Sequence, residues 1–360
     1  MSTVQIKKSL IVIVSAILSF LFALLVGAII IWATGSDPMH TYSVLLRGAV
    51  GNRYALGESL IKAGVLLLTG LSFTFANKCG LINIGAEGQL YMGAAASTVI
   101  GVYAGHLPGF ILLPAALLGG FAAGSLWGGV VGALKARFNC NEIIVTIMLN
   151  YIAMQFVSFL ATGPIRDVNQ TFPFSYTVAA AARLPRFLDG TRLHIGIFIA
   201  LACLLFYWFF YKFTERGYRL QVIGKNRFAA EYAGINVRKN MFYILLLSGG
   251  FAGLGGALEI LGIQFRIFEN FSVGYGFDGI AAALLAGGNP LGMVFTSFLF
   301  GALKSGANAV QMFTTVPSDL VTIVQAVVII TVLMKVFSQM PSLLSRRKKA
   351  GGAPEETLTE

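Results

Sequence analysis

Gly217–Asn240, GYRLQVIGKNRFAAEYAGINVRKN, is a long polar island between apolar runs, and it also carries the marks of a short, capped helix. Asn226 offers a side-chain oxygen for the helix N-terminus, Arg227 to Ala233 make about two turns, and Gly234 suits the left-handed position just past the end. Phe228, Ala229, Tyr232 and Ala233 fall on one face at helical spacing. Arg216, Arg219, Lys225, Arg227, Arg238 and Lys239 crowd around them. A helix of this length is hardly stable alone. Charge by itself equally describes a basic cytoplasmic loop that fixes topology. The caps and the Ala229–Gly234 core favour a docking knob for a cytoplasmic partner.

Outward from this island the chain is apolar. It has 360 residues, 56% hydrophobic and 11% charged, with mean hydropathy +0.78. Such a chain cannot bury its apolar surface as a soluble domain and reads as an integral membrane protein. The net charge of +11 comes without a dense basic stripe of interleaved aromatics, so nucleic acid is not an expected partner. Membrane topology accounts for the charge instead. Cys79, Cys140 and Cys203 sit in or beside apolar runs, and an odd number argues against a disulfide framework.

Lys7 and Lys8 precede the run Ser9–Ala33, which is long for a signal segment, lacks a clean cleavage site and reads as an uncleaved first span. Further spans are expected at Leu60–Ala76, Ile82–Tyr103, Phe110–Leu134, Ile143–Thr162, Ile195–Tyr211, Met241–Ile263, Tyr275–Gly287, Leu291–Val310 and Leu320–Phe337. The fold class is therefore all-α, a polytopic membrane protein of about ten transmembrane helices. Residues 1–345 form one membrane domain with the polar loop at 213–240, and the tail 346–360 is disordered. With both termini cytoplasmic, most of the 26 Lys and Arg residues face inward. Gly35–Ser59 and Gly163–His194 are the long external pieces. Pro164, Pro173 and Pro185 make the second a loop.

Two Gly-rich breaks interrupt the spans: NKCGLINIGAEGQ (Asn77–Gln89) and SVGYGFDGIAAALLAGGNPLG (Ser272–Gly292). Irregular backbone at membrane depth is tolerated only where it is buried in protein or lines a wet cavity. The breaks fall in topologically matching places, as two inverted repeats of about five helices each would require.

Glu87, Glu142, Glu259, Asp278 and Lys304 are the ionisable groups in or beside these spans, where a charge by default faces a partner or a water-filled path. Glu142, next to the Lys135–Asn141 turn, reads as a helix-start carboxylate. For Glu87 and Asp278 two readings stand: an internal pair or bond to backbone amides freed at the breaks, or a pathway lining. Asn83, Gln89 and Asn289 join them as lining candidates, with helix–helix hydrogen bonding the alternative for each; Asn150, Asn308 and Gln311 read the same way. His40, His106 and His194 lack metal-ligand spacing and read as surface or interfacial, so no metal site is expected. No phosphate-binding loop and no nucleophile elbow occurs.

Five ordered segments carry a resemblance: GLINIGAEGQLYMGA (Gly80–Ala94), NEIIVTIMLNYIA (Asn141–Ala153), RGYRLQVIGKNRFAAEYAGINVRKN (Arg216–Asn240), SGGFAGLGGALE (Ser248–Glu259) and GFDGIAAALLAGGNPLG (Gly276–Gly292). Together they resemble the permease subunits of bacterial ABC importers, in the branch serving ribose-like sugars, branched-chain amino acids and nucleosides. Within that branch the chain looks most like nucleoside permeases that work with a basic-membrane-lipoprotein type binding protein. The resemblance implies a multi-pass subunit of the bacterial cytoplasmic membrane with several partners: a second related permease, a double-cassette ATPase, an extracellular solute-binding lipoprotein and the surrounding lipid. It implies no cofactor in this chain, with ATP and Mg on the ATPase. It further implies ATPase coupling through Arg219, Gly224, Asn226, Arg227, Phe228, Ala229, Ala230, Glu231, Tyr232 and Gly234. The solute is a small polar molecule, with nucleosides favoured over a monosaccharide or riboflavin. An ion-coupled secondary transporter using Glu87, Asp278 or Lys304, or a passive channel, would leave the capped helix without a task.

Overall fold

The computed structural model describes residues 24–317, 319–323, 325–327 and 330. The tail 346–360, Lys7, Lys8, the start of the first expected span and most of the last lie outside these. The described residues form helices and no strands, apart from isolated bridges in the segment after residue 163. In hydrocarbon a helix satisfies its own backbone, which is why an apolar chain of this kind resolves into helices.

The elements in order are α1 (Leu24–Ala33), α2 (Pro38–Val50), α3 (Arg53–Lys78), α4 (Ala86–Tyr103), α5 (Gly109–Phe138), α6 (Glu142–Thr162), α7 (Gly196–Phe213), α8 (Glu215–Lys225), α9 (Arg227–Tyr232), α10 (Val237–Glu259), α11 (Tyr275–Leu285) and α12 (Pro290–Phe313). A π-helical turn, Ile260–Gln264, extends α10. Among the described residues, five helices are long and apolar enough to cross a membrane: α3, α5, α6, α7 and α10 with its π turn. α4 and α11 are shorter or less apolar, and their broken entries are the two Gly-rich segments.

The chain divides into two compact units. In the smaller, Met1–Val44 with Val310–Glu360, the Tyr42 hydroxyl donates to the Leu24 carbonyl at 2.6 Å. In the larger, Leu45–Ala309, α3 and α10 form the centre: the apolar windows of these two are 94% and 89% buried, against 28%, 22% and 22% for α5, α6 and α7. Every residue of α3 from Ile61 to Ala76 is buried, as is every residue of α10 from Ser248 to Glu259. The outer helices instead expose Leu118, Leu126, Phe159, Phe198 and Leu205, the surface a bilayer covers. The chain is a membrane-embedded helical protein.

The largest departure from the sequence expectation among these helices is at the start of α3. α3 begins at Arg53 rather than Leu60, capped by Asn52, whose side chain accepts from Ala55 N at 2.8 Å. Its first turns carry Glu58 and Lys62, both buried. Glu58 is held by a two-pronged contact from Arg192, at 2.8 Å from Nε and 2.5 Å from Nη2. The piece Gly35–Ser59 contains a helix, α2.

Gly163–His194 is a loop, as its prolines require, but an ordered one. Ser175 N donates to the Ile267 carbonyl at 2.9 Å, Val178 N to that of Phe265 at 2.8 Å and Leu184 N to that of Leu261 at 2.9 Å. His194, expected at a surface or interface, is buried at 3% exposure. Its Nδ1 accepts from Gly196 N at 3.1 Å, and its ring lies against Gly262 of the π turn, where a Cβ would collide with it. Burial and the nearby Arg186 charge push its pKa down to about 4.

Capped polar helix and Gly-rich breaks as the candidate functional site

The polar island folds into two short helices. Thr214 starts α8, its side chain accepting from Gly217 N at 3.0 Å. Asn226, in extended conformation, ends α8 and starts α9, and its side chain accepts from Ala229 N at 3.1 Å. α9 ends as the sequence requires: Gly234 has φ +76°, Gly234 N donates to the Glu231 carbonyl at 2.9 Å and Ile235 N to that of Ala230 at 2.9 Å. That pair of bonds is the Schellman closure. Asn236 then caps α10, accepting from Lys239 N at 2.9 Å.

On α9 only Ala230 is buried. Phe228 is 75% exposed and Tyr232 94%, with Ala229 and Ala233 also exposed. The apolar face therefore points away from the body of the protein, free for a partner. Beside it lies a cleft of about 450 Å³, lined in part by Lys135, Arg137, Arg227, Phe228, Glu231 and Arg238. Gly224 and Asn226 are exposed, and Arg219 is occupied by Glu215 one turn before it, at 2.5 Å. Glu142, the expected helix-start carboxylate, is paired with Lys135 at 2.8 Å.

The first break closes on itself inside the bundle. Asn83 Nδ2 donates to the Ser248 hydroxyl at 2.7 Å and to Gln89 Oε1 at 3.0 Å, and the Ser72 hydroxyl joins them at 3.2 Å from Gln89 Oε1. All four residues are fully buried. Asn83 meets Ser72 six residues before the end of α3, so the chain re-enters by about 9 Å after Lys78. Asn150 secures the start of α4: its Oδ1 accepts from Gly88 N at 2.8 Å and its Nδ2 donates to the Ile84 carbonyl at 3.0 Å.

The two breaks meet. Glu87, 2% exposed, accepts at 2.5 Å from Gly276 N in the first turn of α11. The Thr69 hydroxyl, in mid-α3, donates to the Tyr275 carbonyl at 3.0 Å. Asp278 pairs with Lys304 of α12 at 2.7 Å, and Lys304 Nζ also donates to the Val273 carbonyl at 2.7 Å. Asn289 accepts from Leu291 N at 3.0 Å and starts α12. Of the two readings of Glu87 and Asp278, the bond to a freed amide and the internal pair are the contacts seen. Ser72 and Ser248 belong to the buried polar node, yet single serines in apolar runs give no signal of it.

Comparisons with known proteins place the chain in a family. A profile described as the permease component of the branched-chain amino acid transport system matches residues 55–333. The chain is 39% identical to the guanosine ABC transporter permease NupP of Bacillus subtilis, over 88% of this chain and 91% of that one. It is 34% identical to the glucose ABC transporter permease TsgB13 of Haloferax volcanii, over 89% and 87%. It is 31% identical to the nucleoside ABC transporter permease NupB of Lactococcus lactis, over 94% and 96%. A permease of this kind works with an ATPase, a binding protein and a second permease, and does not itself hydrolyse ATP. The chain belongs to the branched-chain amino acid transport system permease family, as the membrane-spanning subunit of an ABC transporter.

Proposed function

We propose that this permease imports nucleosides across the bacterial cytoplasmic membrane by ATP-driven alternating access, with both termini cytoplasmic and about ten helices in two inverted halves. The observation that carries the coupling role is α9, a helix capped at both ends that turns Phe228 and Tyr232 outward. Its affinity for the ATPase rests on these two aromatics, and the basic cleft beside them favours an acidic rim on the cassette. Partner chains are a second related permease, a double-cassette ATPase that holds ATP and Mg, and a solute-binding lipoprotein. The likeness to guanosine and nucleoside permeases over nearly the whole chain supports the solute class. A monosaccharide is the second reading, favoured by the likeness to a glucose permease.

The solute is tested by uptake of labelled guanosine, cytidine and glucose in a strain deleted for this gene and in its complemented parent. Loss of nucleoside uptake alone is expected, and loss of glucose uptake alone would transfer the assignment to sugars. The coupling role is tested by Phe228→Ala and Tyr232→Ala, each removing an anchor whose loss costs about 2 kcal/mol. Less ATPase should co-purify and uptake should fall. Full retention of both would remove the docking role from α9.

A further inference from the structure

The structure places a second feature beside the coupling helix that docking does not explain. α8 lies backbone against backbone on the start of the first break. A Cβ on Gly224 would collide with the Lys78 carbonyl and stand 3.1 Å from both Cys79 C and Gly80 N. Gly80 answers with φ +74°, and a Cβ there would stand 3.2 Å from Gly224 Cα. Arg227, the first residue of α9, adds a contact to the Gly80 carbonyl at 3.4 Å. The near side of α8 is fixed to the same place. The Tyr211 hydroxyl donates to the Phe75 carbonyl at 2.8 Å, Gln221 Nε2 donates to the Tyr211 carbonyl at 2.9 Å, and Leu220 and Ile223 are buried.

From Gly80 the connection continues inward. Three residues on, Asn83 enters the Ser72–Gln89–Ser248 node and its Oδ1 accepts from Gly85 N at 2.9 Å. Two residues past Gly85, Glu87 holds the amide of Gly276. Outward, α9 and α8 are joined by the single extended residue Asn226, a short joint across which a push on α9 is passed to α8. Packed backbone has no side-chain rotamers to absorb a displacement, so a shift of Gly224 moves Gly80 with it.

We infer that Gly224 and Gly80 are positioning residues that pass the ATPase stroke from the coupling helix to the Glu87–Gly276 junction where the two breaks meet. The inference rests on the reading of α9 as the docking helix. It adds that docking and transmission are separate and reside in different residues.

The test uses the assembled transporter, isolated through a tag on the ATPase and reconstituted in vesicles, with solute accumulated and phosphate released measured together. Gly224→Ala adds one methyl against the Lys78 carbonyl without a left-handed backbone penalty. Gly80→Ala adds both the penalty and the contact, and Gly190→Ala, with φ +73° and nothing within 4 Å of its Cβ, adds the penalty alone. Gly224→Ala and Gly80→Ala are expected to recover ATPase and hydrolyse ATP as the parent does, while solute moved per ATP falls about tenfold or more. Gly190→Ala should match the parent.

An unchanged ratio in Gly224→Ala would overturn the inference. So would loss of the assembled complex in both contact variants, which would make the contact a prop of the fold. If Phe228→Ala keeps both ATPase and uptake, the docking reading fails independently, whatever Gly224→Ala does.

Discussion

Gly253 and Gly255 stand two residues apart on α10 and should answer the same substitution in opposite ways. α10 crosses α5 through Gly249 and Gly253 on one side and Gly120, Gly124 and Gly128 on the other, a small-residue seam of the kind that lets membrane helices approach backbone to backbone. A Cβ on Gly253 would collide with the Gly120 carbonyl oxygen and stand 2.8 Å from Gly124 Cα. Carbon–carbon contacts relax near about 3.5 Å, so the helices would have to separate by roughly 0.7 Å. A Cβ on Gly255 would find Leu68 Cβ at 3.5 Å and nothing nearer, an ordinary contact.

Overpacking of this kind costs about 1–3 kcal/mol, and replacing Gly by Ala within a helix returns about 1 kcal/mol. Gly253→Ala should therefore lose about 1 kcal/mol net and Gly255→Ala gain up to about 1 kcal/mol. At about 2 °C per kcal/mol for a chain of this size, the two variants should differ by roughly 4 °C in Tm. Thermal unfolding in detergent, followed with a thiol-reactive dye that reports exposure of the buried Cys79, reads the difference directly. Equal midpoints, or Gly253→Ala melting above Gly255→Ala, would refute the close crossing.

Two further predictions concern the membrane topology and a buried histidine. Single cysteines at Thr177 and Lys225, in a background lacking the native three, should label from outside whole cells only at Thr177; the reverse pattern would invert the topology. His194 is neutral in the fold with its pKa lowered to about 4, so between its unfolded value of about 6.5 and 4 the unfolded chain binds the extra proton. His194 thus works against stability as pH falls through that window. Midpoints measured at pH 7.5 and 5 should drop more for the parent than for His194→Gln, and equal drops would show that other groups set the acid sensitivity.

The parts of this protein legible in sequence are those governed by local geometry. Asn226 and Gly234 announce the ends of α9 because cap chemistry needs only a few neighbouring residues. α8 is not legible in sequence, since Gly217 and Gly224 lower helix propensity within a stretch of only eleven residues. Each is instead glycine because a Cβ would strike backbone, that of Phe210 in one case and Lys78 in the other. The early start of α3 is hidden by Arg53 and Glu58, which lower the local hydropathy, yet Glu58 is paired with Arg192 from more than a hundred residues away. Charged residues paired across the fold defeat a window that sums along the chain. The same holds for the two breaks: glycines, an Asn and an acid mark each as irregular, while the bond from Gly276 to Glu87 spans 189 positions and belongs to tertiary structure alone.

That bond also separates an ATP-driven permease from an ion-coupled carrier. If Glu87 serves by accepting from Gly276 N, it needs an oxygen at that place, and a neutral amide supplies one. Glu87→Gln should then keep most uptake, whereas Glu87→Ala leaves a buried amide without its acceptor at a cost of about 1–3 kcal/mol. The void beside Gly276 adds to that cost, because this glycine packs so closely that a Cβ would stand 2.5 Å from Glu87 Cα and 2.7 Å from Oε2. A carrier that moves a proton or cation with its solute would use the charge of Glu87 itself, and Glu87→Gln would abolish accumulation as fully as Glu87→Ala. Uptake by the two variants, at matched membrane levels and with the proton gradient either intact or collapsed, decides the matter. Glu87→Gln near the parent with Glu87→Ala depressed, both indifferent to the gradient while ATP is supplied, is the expected pattern. Equal and complete loss in both variants would show that the charge, rather than the hydrogen bond, is what transport needs.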